Sequence, residues 1–212
     1  MNSAFTRAFA PAARHACLTL ALGIVPLLSA HAAASTPAEP LQPVASVDLT
    51  RYMGHWYQIA FYPNAFQKQC VGNVTADYKL LPYGQVEVIN RCGKADGTTD
   101  QATGRARLQQ PRLLDIPLSK PYSTARLEVR FAPSLLSWLP LVWAPYWVIQ
   151  LADDYRYAVV SEPTRQYLWI LSRTPTISPD TYEAIKARLV TQGFDVDKLV
   201  AQPQTGPSTG AP

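Results

Sequence analysis

Three histidines and three cysteines are the residues of this 212-residue chain best suited to nucleophilic or metal chemistry. A Cys–His or Ser–His–Asp site needs an imidazole beside its nucleophile, and a zinc centre needs several such ligands converging on one point. Position decides how many of the six are available. Met1 to Arg14 carries two arginines and no acid, Cys17 to Ala30 is almost wholly apolar, and Ala30-His31-Ala32 puts small residues at signal-peptidase spacing. Residues 1–32 therefore read as a secretory signal peptide, its apolar run being short for a membrane span; an uncut anchor helix is the alternative. Cys17 follows Arg14-His15-Ala16, which is not the pattern that precedes a lipid-attachment cysteine.

Removal of that segment takes His15, His31 and Cys17 with it and leaves His55, Cys70 and Cys92. One imidazole cannot build a multi-histidine zinc site, and any catalytic dyad would have to use His55; because His55 falls on the strand face opposite Trp56, the interior offers no histidine to ligate haem. An even pair of cysteines in an exported chain points to a disulfide, Cys70–Cys92, which withdraws both thiols as nucleophiles; two buried free thiols are the alternative. The sequence thus assigns no catalytic residue, no metal ligand and no cofactor. Loss of Arg7 and Arg14 leaves 17 basic residues against 15 acidic, a charge of about +2, with no Lys/Arg stripe. Nucleic acid is excluded as a partner on that basis.

The elements that must position these residues have the period of strands. Residues 33–46 are rich in Ala, Pro and Ser and read as a flexible leader, 47–202 as one folded domain, and 203–212 as a disordered tail. Strands are expected near 55–62, 72–80, 85–93, 99–108, 124–131, 145–151, 156–161 and 166–173, with breaks about every ten residues. Arg126-Leu127-Glu128-Val129-Arg130-Phe131 alternates charged and apolar residues, giving one wet face and one buried. In 103–108, Gly104, Ala106 and Leu108 share a face, so small residues would leave room inside. A helix is marked by Ser178 as N-cap, Pro179, Asp180 and Glu183 in its first turn, Tyr182, Ile185, Leu189 and Val190 on one face, and Gly193 at its end. A short strand over 195–200 would follow.

The hairpin 72–93 allows a check on the cysteines. Cys70 opposite Cys92 makes Tyr78 face Gly84 and leaves Lys79 to Tyr83 as a five-residue loop, an ordinary connection. In that register Tyr78 and Asn90 lie on the same side of the sheet as the cysteines.

Gly54-His55-Trp56-Tyr57, Asp153-Asp154-Tyr155-Arg156-Tyr157-Ala158 and Leu168-Trp169-Ile170-Leu171-Ser172-Arg173-Thr174-Pro175, in this order and spacing, resemble the three signature regions of lipocalins. The last block, running into Thr176-Ile177-Ser178, is similar to the bacterial outer-membrane lipocalin and apolipoprotein D branch, and the likeness covers about residues 46–200. It implies an all-β fold: an eight-stranded antiparallel up-and-down β-barrel, or calyx, with one C-terminal α-helix packed outside. It implies too that Trp56 and Arg173 close the barrel end as a cation–π plug worth about 1–2 kcal/mol. Their role is then structural.

The same resemblance carries Tyr78, Asn90 and Trp147 over as lining of a ligand cup. Period two adds Val88, Ile149, Val129 and Phe131, with Val86, Leu127 and Leu151 beside them; ordinary barrel core is the alternative for these aliphatics. From Phe131 to Ala152 there are 22 residues without a charge, interrupted by Pro133, Pro140 and Pro145. The part that joins two strands, loop 132–144, is expected to form an apolar lip that contacts a membrane surface or covers the ligand; a loop folded onto its own barrel is the alternative. The function implied is binding and transport or storage of fatty acids, lysophospholipids or similar small lipids in the periplasm of a bacterial cell envelope, with outer-membrane association. A structural envelope or stress protein, and a lipid-modifying isomerase of lipocalin type, are the other two classes. Oligomeric state is left open by the sequence.

Overall fold

The computed structural model describes residues 39–110, 112–113, 116–131, 134–136 and 139–205. The expected signal peptide, the start of the leader, Trp138 and the tail beyond 205 lie outside the described residues.

A single helical turn, α1 (Leu49–Tyr52), is capped by Asp48, whose carboxylate accepts from the Thr50 and Arg51 amides. It leads into β1 (Gly54–Phe61), and β2 (Cys70–Leu80), β3 (Val86–Lys94) and β4 (Thr99–Leu108) follow as a meander. A two-rung hairpin, β5 (Arg112–Leu113) and β6 (Ile116–Pro117), interrupts the chain before β7 (Arg126–Arg130), β8 (Ala144–Leu151), β9 (Tyr157–Ser161) and β10 (Leu168–Ser172). Every neighbouring pair is antiparallel, and β10 pairs back onto β1, so β1–β4 and β7–β10 close into one eight-stranded barrel. Closure satisfies the edges that an open sheet would expose. Then come α2 (Pro179–Thr191) and β11 (Val200–Ala201), which extends the sheet on β1.

Alternation sorts the apolar residues into two layers. Inside the barrel, Trp56, Ala76, Tyr78, Val88, Leu127 and Val160 share one cluster. Outside it, Ile185 and Leu189 of α2 pack with Ile149, Val159, Leu168 and Ile170. The helix forms as expected: Ser178 accepts from the Thr181 amide, Pro179 starts it, and Gly193 follows its last turn with φ +80°. Its buried stripe is narrower than expected. Val190 is turned to solvent, 57% exposed, because it lies one position round from Leu189 on the helical wheel.

Three further expectations are corrected. In the β2–β3 hairpin, Tyr78 faces Val88 and Ala76 faces Asn90, so the connection is Leu81 to Gln85 and not Lys79 to Tyr83. The reason is two irregularities in β2 between Cys70 and Thr75, where Asn73 takes φ +53°. They bring Cys70 into register with Lys94, yet the disulfide to Cys92 forms across a Cα separation of 5.5 Å. The register moved by an even number, so Tyr78 and Asn90 keep a common face. The leader is docked where it is described: Leu41 is buried in the outer layer, the Val44 amide donates to the Val148 carbonyl, and the Val47 amide to Thr124. The start of the tail is docked as well, since the Pro203 carbonyl accepts from the Asn73 amide and the Thr205 amide donates to Asn73 Oδ1.

Candidate functional site

The site begins at the closed end of the barrel. Arg173, just past β10, sets its guanidinium carbon 3.8 Å from the centre of the Trp56 ring. The same group donates to the carbonyls of Arg51 at 2.7 Å, His55 at 2.9 Å and Tyr52 at 3.2 Å. Trp56 Nε1 donates to the Tyr52 carbonyl at 2.9 Å. The plug thus joins α1, the start of β1 and the end of β10. Burial lowers the Arg173 pKa, but a guanidinium retains its charge throughout the physiological range.

Above the plug the rings continue as a column. Tyr52 lies 5.0 Å from Trp56 between centroids, Tyr78 lies 5.7 Å from Tyr52, and Tyr146 lies 6.2 Å from Tyr78. Tyr146 Oη is 2.9 Å from both Tyr52 Oη and Tyr78 Oη. Burial pushes Tyr52 and Tyr146 well above the usual tyrosine range and Tyr78 up to about 12. All three are neutral hydroxyls at any physiological pH. They border a cavity of about 10 Å³ whose other walls are aliphatic: Leu49 and Met53 from the α1 region, Val86 and Val88 from β3, Leu127 and Val129 from β7. Among the described residues, no charged side chain lines it. The free space is about that of one water.

Tyr78, Val88 and Val129 are therefore on the inner wall of the barrel. Asn90 faces inward too, as the strand partner of inward-facing Ala76 and of Ala102, and is half-buried nearer the mouth. Phe131 is 45% exposed at the open end, on the same face as Val129. A Cβ built on Gly104 would come within 2.8 Å of the Phe131 ring and 2.7 Å of the Arg130 carbonyl, so the ring rests directly on the Gly104 backbone. Trp147 and Ile149 are not in the lining. Both lie in the outer layer against α2, Trp147 donating to Gln109 Oε1 at 2.9 Å and stacking 4.5 Å from the Arg126 guanidinium. Their neighbours Tyr146 and Val148 point inward instead, and an irregularity between Val148 and Gln150 brings Leu151 back to the inner cluster.

Tyr52, Tyr146, Leu49 and Met53 were not anticipated as lining. Tyr146 carried one signal, adjacency to Trp147 in a strand, but Tyr146-Trp147-Val148-Ile149 is apolar on both faces and offers no polar residue to set its phase. His55 sits on the outer wall, its Nδ1 2.7 Å from Asp77 Oδ1, with Arg91 on the other oxygen of that carboxylate. Among the described residues no three His, Cys, Asp or Glu side chains are grouped to hold a metal ion.

A closed eight-stranded barrel with an arginine–tryptophan floor, an apolar interior and one helix outside defines a class. The chain belongs to the lipocalin family: the Lipocalin-like domain matches residues 47–204. Among its relatives, the outer membrane lipoprotein Blc of Escherichia coli is 34% identical over 192 residues, 86% of this chain and 98% of that protein. Apolipoprotein D of Mus musculus is 34% identical over 177 residues, 79% of this chain and 82% of the relative. Of solved structures, insecticyanin from the tobacco hornworm Manduca sexta superposes with a TM-score of 0.56 at 21% identity, covering 78% of this chain and 85% of its own. Family membership implies binding of small hydrophobic ligands, and lipocalins are mostly non-enzymatic binding proteins.

Proposed function

We propose that this lipocalin binds single-chain lipids, fatty acids or lysophospholipids, and carries or stores them in a bacterial cell envelope without altering them. The observation that carries the reading is the inner wall: an uncharged surface running from the tyrosine cluster past Val88 and Val129 to Asn90 and the half-exposed Phe131. Burial of apolar ligand surface there supplies about 25 cal/mol per Å². A cavity of about 10 Å³ does not admit such a molecule as it stands. Loading requires the unbranched Met53 and the side chains of Leu49 and Phe131 to give way, a movement that separates a ligand-free from a ligand-bound state.

The envelope setting is supported by the signal-like start of the chain and by the outer-membrane lipoprotein among its relatives. Contact with a bilayer surface is proposed for loop 132–144. It holds two short 3-10 turns, Ser134–Leu136 and Pro140–Val142, with Leu135 82% and Leu141 97% exposed. Serine at both leucines should weaken partitioning onto anionic liposomes, and unchanged partitioning would remove that contact from the account. The carrier reading itself is tested by titrating delipidated protein with a fluorescent fatty-acid analogue and competing with oleate. Saturable, displaceable binding supports it. No saturable binding favours a structural envelope protein whose barrel interior is incidental.

A further inference from the structure

The barrel wall is uneven at its open end. On one edge β4 pairs with β3 along residues 99–106, almost its whole length. On the other edge it pairs with β7 only over residues 105–108, which face 130–127. Residues 99–104 therefore run on past the end of β7, and among the described residues none of them is paired on that side. A notch results, flanked by about 20 Å of strand edge. One ring closes its base. Phe131, the first residue after β7, lies against Gly104, where a Cβ would come within 2.8 Å of the ring. Gly104 pairs with Val88, and Val88 and Val129 border the cavity, so the ring sits over the apolar interior. Phe131 is 45% exposed, and Gly104 has no side chain to interlock with it, so rotation about the ring's own side-chain bonds unseats it. The far end of the following loop is drawn outward, Trp143 stacking 3.8 Å from the Arg107 guanidinium. Across the barrel, at β1 and β10, side-chain bonds hold the rim: Gln67 Nε2 donates to Gln58 Oε1 at 2.9 Å, and Gln67 Oε1 accepts from Trp169 Nε1 at 3.1 Å.

We propose that lipid enters and leaves the barrel sideways, through the notch between β4 and β7, with Phe131 as the gate. This rests on the carrier reading and adds to it the route and the residue that sets the rate. Beyond the ring the path is apolar, running between Val88 and Val129 to Ala106 and the cavity. Leu135 and Leu141, both strongly exposed, belong to the loop that begins at this gate, so a lipid surface that they touch is brought to the notch. A gate governs movement in both directions, whereas a residue that only lines the site changes how fast ligand leaves.

The experiment is stopped-flow mixing of delipidated protein with a fluorescent fatty-acid analogue, followed by displacement with excess oleate. Phe131→Ala should raise the association rate about tenfold and the release rate with it; a ring that only lines the site would leave association unchanged. The route is tested with two added cysteines, each carrying a bulky maleimide label. Ala102→Cys lies on the edge of the notch, and Phe66→Cys lies across the barrel, where Phe66 packs 5.4 Å from Tyr167 just before β10. The label at position 102 should slow entry and release about tenfold against the unlabelled variant, and the label at position 66 should leave both within about twofold. Unchanged association in Phe131→Ala, or obstruction by the label at 66 alone, by both labels alike or by neither, overturns the side entrance. Saturable binding, and with it the carrier reading, would then still stand. If Phe131→Ala does not fold, the labelled pair decides alone. Absence of saturable binding by the unaltered protein defeats both readings together.

Discussion

Replacement of Arg173 by methionine isolates what the plug contributes. Methionine keeps an apolar stem of similar length and removes the guanidinium, which lies 3.8 Å over Trp56 and holds three carbonyls. The ring contact accounts for about 1–2 kcal/mol when desolvated. Of the three carbonyls, that of Tyr52 keeps Trp56 Nε1 as a donor, and those of Arg51 and His55 belong to exposed residues that water can reach. Their joint loss is therefore about 1–2 kcal/mol, well below the sum for three charged bonds in a dry interior. The total, about 2–4 kcal/mol, corresponds to a fall in Tm of about 5–15 °C for a domain of this size. Urea unfolding followed by tryptophan fluorescence, with the disulfide kept oxidised, reads it directly. Lysine at 173 should recover about half, since it retains the charge and lacks the fork. A double-mutant cycle with Trp56→Leu should show coupling of about 1–2 kcal/mol. A loss under about 0.5 kcal/mol for Arg173→Met, with an additive cycle, would show that the plug does not hold the closed end together.

Gly104→Ala should destabilise by about 1–3 kcal/mol in the same assay, because the new methyl meets the Arg130 carbonyl at 2.7 Å and a backbone group cannot move aside as a side chain would. Reduction of Cys70–Cys92, which are 22 positions apart, should cost about 3 kcal/mol through the freed unfolded chain, visible as a lower Tm in dithiothreitol. Alkaline pH should also destabilise. Tyr78 ionises near 10 when unfolded and about 12 when folded, so its contribution is complete below pH 10 and is lost as pH rises from there to about 12, with Tyr52 and Tyr146 acting in the same direction. Ultraviolet titration should find these three tyrosines un-ionised until the protein unfolds.

All eight barrel strands and the helix were legible because their signals are local: alternation in 126–131, Ser178-Pro179 at a helix start, turn residues at regular intervals. Trp56 over Arg173 was legible only through likeness to lipocalins, since nothing local links residues so far apart in sequence. What failed did so for identifiable reasons. Assigning Cys70 directly opposite Cys92 assumed an unbroken strand, and the bulge around Asn73 has no signature beyond an asparagine tolerant of positive φ. Trp147 and Ile149 were placed inside, in a strand whose two faces are both buried, one by the barrel centre and the other by α2. Tyr52 belongs to a four-residue helix whose only local mark is the Asp48 cap. The tyrosine cluster joins α1, β2 and β8, so it exists only once the barrel has closed.

Native mass spectrometry of the purified protein, before and after solvent extraction, bears most directly on whether the barrel holds a lipid. The account predicts one bound species of lipid mass per chain, lost on extraction and restored at one-to-one stoichiometry by added oleate. A protein that carries no adduct as purified and takes up none from oleate would contradict it.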